Sequence, residues 1–100
     1  MDSGFKYRIL VADTFRAVDV QRTMVKSFIT DLKVGLTFAD IALHTHDEAK
    51  RRRNQTKARI AYDTVMRYSK NLHFSDEDKL EIESRQDELK AALKQLGESF

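Results

Sequence analysis

The sixteen residues HTHDEAKRRRNQTKAR, positions 44–59, hold two histidines, an adjacent Asp47–Glu48 pair and six lysines and arginines. Imidazole and carboxylate together can ligate zinc or nickel. Clustered cations can meet phosphate. Long basic side chains at a helix start can also simply lay their methylenes over apolar surface and keep their charges in water. The metal reading is the poorest of the three. His44 and His46 stand two residues apart, so they diverge on a helix and converge only within a turn. His73, the remaining histidine, is expected at the other end of the molecule, so a third anchored ligand is missing. No metal is expected.

Acid–base chemistry is no better served. Asp76, Asp78, Glu81 and Glu83 cluster where a helix begins, and the positive end of the helix dipole accounts for acids there. A Glu-x-x-His pair, as a di-iron bundle needs, is absent, and so are a nucleophile motif and a glycine-rich phosphate loop. The chain is therefore read as non-catalytic, with no cofactor and no small-molecule substrate.

The elements that must position these residues are helical. The 100-residue sequence is 41% hydrophobic and 34% charged, the balance of one small globular domain. It has no proline and three glycines, too few turn residues for a sheet protein of this size. Cysteine is absent, which removes disulfides and thiolate chemistry. Neither a secretory signal nor a membrane-spanning run is visible, and a cytoplasmic location is expected. The net charge of +2 is a weak pointer to an anionic partner.

Residues 25–43 place Val25, Phe28, Ile29, Leu32, Gly35, Leu36, Ala39, Ala42 and Leu43 at three- and four-residue steps, one broad apolar stripe. The same steps run back through Arg22 to Val18, Phe15 and Val11, so the first helix could start anywhere from about residue 5 to about 19. Thr45 and Glu48 form a T-x-x-E capping box for a second helix starting near Asp47. Its stripe is Ala58, Ala61, Tyr62, Val65, Tyr68 and Leu72. Ser75 and Asp78 repeat the capping signature before a third helix that buries Ile82, Leu89, Ala92, Leu93 and Leu96, closed by Gly97. The expected fold is all-α: an antiparallel up-down-up three-helix bundle over 17–97, with helices at about 17–45, 47–72 and 76–96. A long first helix, or a separate N-terminal segment over 1–16, precedes it.

That leader is the unexplained part. The second and third helices should rise roughly 39 and 33 Å, which residues 17–45 already match. Phe5, Tyr7, Ile9, Leu10, Val11 and Phe15 are then left without a partner inside the bundle. The leader could fold back, pair as a strand, or meet a second copy; a homodimer is the most economical cover.

On the second helix, the stripe centred between Ala58, Ala61 and Val65 projects back onto Asn54 and Asp47. Lys50 and Arg51 flank that line, Lys57 borders it, and Arg52, Arg53, Arg59 and Arg67 point outward. The cations circle the helix. In an up-down-up bundle this basic start and the acidic run SDEDKLEIE lie at opposite ends, and only scattered groups such as Glu98 can offset the former. Aromatic interleaving of the kind specific nucleic-acid binders carry is absent.

The segments GLTFADIALHT and NQTKARIAYDTVMRYSKNL resemble a group of short bacterial proteins in which L-T-F-A-x-I-A precedes an A-R-x-A-Y-D-T-V-x-R-Y helix. The likeness spans roughly residues 34–96 and implies a small cytoplasmic helical protein, with no catalytic residue to carry over. More loosely, the second helix is similar to helices of tetratricopeptide and microtubule-interacting-and-trafficking domains, but no 34-residue repeat is present.

The functional expectation is a helical protein-interaction module with two contact surfaces. The apolar leader (Phe5, Tyr7, Ile9, Leu10, Val11, Phe15) would serve self-association. The basic end (Lys50, Arg51, Arg52, Arg53, Lys57) would serve a salt-sensitive contact to protein or, alternatively, to nucleic acid. No membrane partner is expected.

Overall fold

With no proline to interrupt it, the first apolar stripe belongs to one unbroken helix, α1 (Asp2–His44), of 43 residues. Two shorter helices follow, α2 (Glu48–Ser69) and α3 (Asp76–Gln95), and the described residues contain no strand. This computed structural model describes the backbone from residue 2 onward and the side chains from residue 20 onward. The all-α three-helix arrangement expected from the sequence is the one found. The leader is continuous with the first helix, so neither a strand nor a separate element over 5–16 occurs.

The helix ends follow local chemistry. α2 starts at Asp47, which is extended (φ −87°, ψ 112°) and accepts the Lys50 N–H on its side chain. The expected Thr45 cap is displaced by two residues: the Thr45 hydroxyl instead accepts the Asp47 N–H and shapes the turn leading in. The Thr-x-x-Glu and Asp-x-x-Lys registers compete here, and the residue with extended backbone takes the cap. α2 also stops at Ser69, three residues short of Leu72. Ser75 caps α3 as expected, accepting the Asp78 N–H, with Asp76, Glu77 and Asp78 in the first turn. At the far end Gly97 adopts φ +94° while the Glu98 N–H reaches the Leu93 carbonyl and the Gly97 N–H that of Lys94. These two bonds make a Schellman closure, which a residue without a Cβ adopts at least cost.

α1 is the spine. α2 and α3 both pack on it and meet each other over a shorter length. The core runs along Val25, Phe28, Leu32, Ala39 and Ala42 of α1, Ala58, Tyr62 and Val65 of α2, and Ile82, Leu89, Ala92 and Leu93 of α3. These positions agree with the three stripes, with one exception. Tyr68, placed on the second stripe by spacing, is 56% exposed. It lies a single residue before the helix end. Gly35, whose mid-stripe position suggests a close crossing or a bend, marks a close crossing. A Cβ built there would stand 2.9 Å from the Ala61 Cβ and 2.9 Å from Leu89 Cδ2. All three helices therefore meet at one glycine.

Two contacts fix the axial position of the shorter helices. The Gln21 side-chain amide donates to the His73 carbonyl, and Phe74 packs edge-on against Phe28 at 6.1 Å. The turn between α2 and α3 thus sits beside Gln21–Phe28. At 1.5 Å per residue α1 rises about 65 Å, against about 33 and 30 Å for its partners. The longest extent of the molecule, 67 Å, is essentially that of α1. The side chains of Phe5, Tyr7, Ile9, Leu10, Val11 and Phe15 lie outside the described residues.

Candidate functional site

The basic start of α2 stands where the end of α1 and the end of α3 converge. Ala42, Leu43, Arg51, Gln95 and Leu96 line a shared depression there of about 230 Å³. Arg51 crosses it and closes the C-terminus of α1. Its Nε donates to the Ala42 carbonyl at 3.3 Å, its Nη2 to the Thr45 carbonyl at 3.1 Å, and its Nη1 meets Glu48 at 3.3 Å. A cation on the last carbonyls of a helix also complements the negative end of its dipole. Arg51 is thus committed within its own chain. Arg52 shares the same Glu48, at 3.4 Å.

Lys50 and Arg53 are exposed and make no ion pair among the described residues. Lys57 is exposed as well, with its ammonium 5.3 Å from the centre of the Phe38 ring. Asn54, on the inward line, is 9% exposed and donates its side-chain amide back to the Lys50 carbonyl at 2.8 Å. It is satisfied within its own helix.

The role of Arg51 is testable. Arg51→Met keeps the methylenes but strips the donors from two carbonyls, and should lower stability by roughly 1–2 kcal/mol. Arg53→Met, two residues on, should stay within about 0.5 kcal/mol of the unmodified protein. Urea midpoints for the pair measure the difference, and equal midpoints would remove the capping role.

The histidines at this junction have other occupations. His44 Nδ1 donates to the Asp40 carbonyl at 2.7 Å, a bond within the last turn of α1, and His46 is exposed. No group of three or more His, Asp or Glu among the described residues is placed to hold a metal ion.

The two charged runs do lie at opposite ends. The acidic start of α3 neighbours Lys70, His73 and Lys79, with Phe74 and Glu83, around a depression of about 390 Å³. At the basic end, Arg59 pairs with Asp63 at 3.0 Å, approaches Glu98 at 3.8 Å and donates to the Ser99 carbonyl at 2.8 Å. Glu98 therefore offsets part of the basic charge, as its position suggested. The Arg59 guanidinium also lies 4.1 Å from the Phe100 ring, which meets Tyr62 edge-on at 5.0 Å. Burial pushes the Tyr62 hydroxyl above the ordinary tyrosine range, opposed by the positive charge of Arg59. The sequence reading did not foresee this clasp of the C-terminal residues, because no helical periodicity reaches Phe100.

A second feature escaped it as well. α1 and α2 leave a mostly apolar groove of about 330 Å³ lined by Asp31, Val34, Phe38, Lys57, Ile60 and Thr64, with Ala61 among them. Val34 and Ile60 remain 45% and 59% exposed. The available signal was subtractive. Both are large apolar residues that the core stripes leave over.

Among the described residues no helix is long and apolar enough to cross a membrane. The chain matches no protein-family model, and neither the curated proteins nor the solved structures yield a significant match.

Proposed function

We propose that this chain is a non-catalytic helical interaction module that pairs with a second copy of itself through the N-terminal half of α1. The supporting observation is the length mismatch. α1 has 43 residues against 22 and 20 in its partners, whose shared turn sits beside Gln21–Phe28. About 28 Å of helix then precedes the bundle. In sequence that length carries Phe5, Tyr7, Ile9, Leu10, Val11 and Phe15. Antiparallel pairing about a two-fold axis would cover the same residues on both chains at once.

Light scattering tests this on the full chain and on Val11→Asp with Phe15→Asp. The full chain should show about twice the 11.6 kDa chain mass, and the double variant the single mass with its helix content retained. A full chain that stays monomeric at high micromolar concentration overturns the reading.

A second reading, a non-specific polyanion binder, draws on Lys50 and Arg53, which stand exposed without internal acids. It requires generic duplex DNA or RNA to be retained at about 50 mM salt and released steeply as salt rises. No retention at that salt removes it.

A further inference from the structure

We propose that the groove between α1 and α2 is the docking site for an acidic amphipathic helix of a partner protein. The partner's apolar ridge would fill the groove and its carboxylates would meet Lys57 and Arg53. This rests on the interaction-module reading but not on self-pairing.

The exposed apolar residues are not scattered. Val34 and Ile60 face each other from the two helices, and Phe38 stands one turn beyond Val34. The groove is lined by α1 and α2 alone, because α3 meets them from the Gly35 side, through Leu89. Its walls span residues 31–38 of α1 and 57–64 of α2, about two turns of each. A helix laid there would contribute apolar residues at i, i+3 or i+4, and i+7, the usual reach of helix-in-groove recognition.

The charges decide the partner's sign. Arg53 and Lys57 are four residues apart and therefore share one edge of α2, both exposed and neither in an ion pair among the described residues. The acid of the lining, Asp31, belongs to the other wall. The Lys57 ammonium now leans over Phe38, so a carboxylate arriving along the α2 edge could draw it outward and uncover the ring. Glutamates flanking a leucine ridge complement this edge, and lysines there would be repelled.

Shape argues against the other occupants. A bilayer favours protruding apolar groups, whereas these line a recess. Two copies placed groove to groove would face concave against concave, with no ridge to fill either.

The probe is a fluorescein-labelled helical peptide of about 20 residues, with leucines at alternating three- and four-residue steps and glutamates elsewhere. Anisotropy with the full chain should show saturable binding. Ile60→Asp and Val34→Asp, both at exposed positions and checked for unchanged helix content, should each weaken it about tenfold or more. Lys57→Glu should weaken it by about tenfold, and a matching peptide with lysines for glutamates should recover the loss. Leu80→Asp, on the exposed side of α3, should leave binding unchanged.

Absence of saturation overturns the proposal, as does equal binding by Ile60→Asp and Lys57→Glu. Sedimentation of the chain with phosphatidylserine vesicles, abolished by Ile60→Asp, would assign the groove to a membrane instead. A dimer lost in Ile60→Asp would assign it to a second copy. Because light scattering reads self-pairing separately, either reading can fail while the other stands.

Discussion

Leu89→Ala is expected to cost about 3–4 kcal/mol of unfolding free energy, a large share of the roughly 5–15 kcal/mol that holds a domain together. Leu89 is fully buried, and its Cδ2 lies where the three helices converge on Gly35. Removing the isobutyl group forfeits its transfer free energy and leaves a void. α1 and α2 already pack closely there, with Gly35 against Ala61, which limits how far they can move inward to fill it. The cost should therefore fall near the middle of the roughly 2–5 kcal/mol range for leucine-to-alanine changes, not at its lower end. Urea denaturation followed by helical circular dichroism measures it as a lower midpoint with an unchanged slope. A loss below about 1 kcal/mol would mean that the packing does not centre on this residue.

Gly35→Val should be comparably severe, about 3 kcal/mol, for the opposite reason. On an open helix surface, replacing glycine by alanine gains about 1 kcal/mol. Here the first added carbon already stands 2.9 Å from two neighbours. Leu89 Cδ2 is the end of a flexible side chain and can turn aside. The Ala61 Cβ is fixed to the α2 backbone, so α2 itself must shift. Gly35→Ala should therefore be a net loss of about 1 kcal/mol despite its better propensity, and the second branch of valine adds further overlap. The decisive comparison is a double-mutant cycle with Ala61→Gly. Alone, that change weakens α2 by about 1 kcal/mol; combined with Gly35→Ala, it should restore much of the lost stability. A stabilising Gly35→Ala, or strict additivity in the cycle, would show that the crossing is not tight.

These two residues show how far the sequence could be followed. Gly35, a glycine in the middle of a strong stripe, was legible as a close crossing or a bend, and the packing against Ala61 and Leu89 decides for the crossing. Leu89 was legible because it keeps step with Ile82, Ala92 and Leu93. The candidate site was legible more unevenly. Lys50, Arg51, Arg52, Arg53 and Lys57 form one run in the sequence, yet the fold divides them. Arg51 closes the end of α1, Arg52 shares Glu48 with it, and Lys57 leans over Phe38. Only Lys50 and Arg53 stand clear of such contacts among the described residues. A helical wheel places a side chain on a face, but does not say which carbonyl of a neighbouring helix comes within reach.

What the chain determines by itself is local. Three helices, their apolar faces, the Ser75 cap and the Gly97 closure follow from interactions spanning about four residues, which any stretch with that spacing reproduces. Tertiary structure alone sets the axial registration: Gln21 beside His73, Gly35 against Ala61, Phe100 on Tyr62, and Val34 across from Ile60. Amphipathic helices can slide by a turn and still bury their stripes. Which slide wins depends on the fit of particular side chains at the crossing, so the groove becomes visible only once the helices are docked.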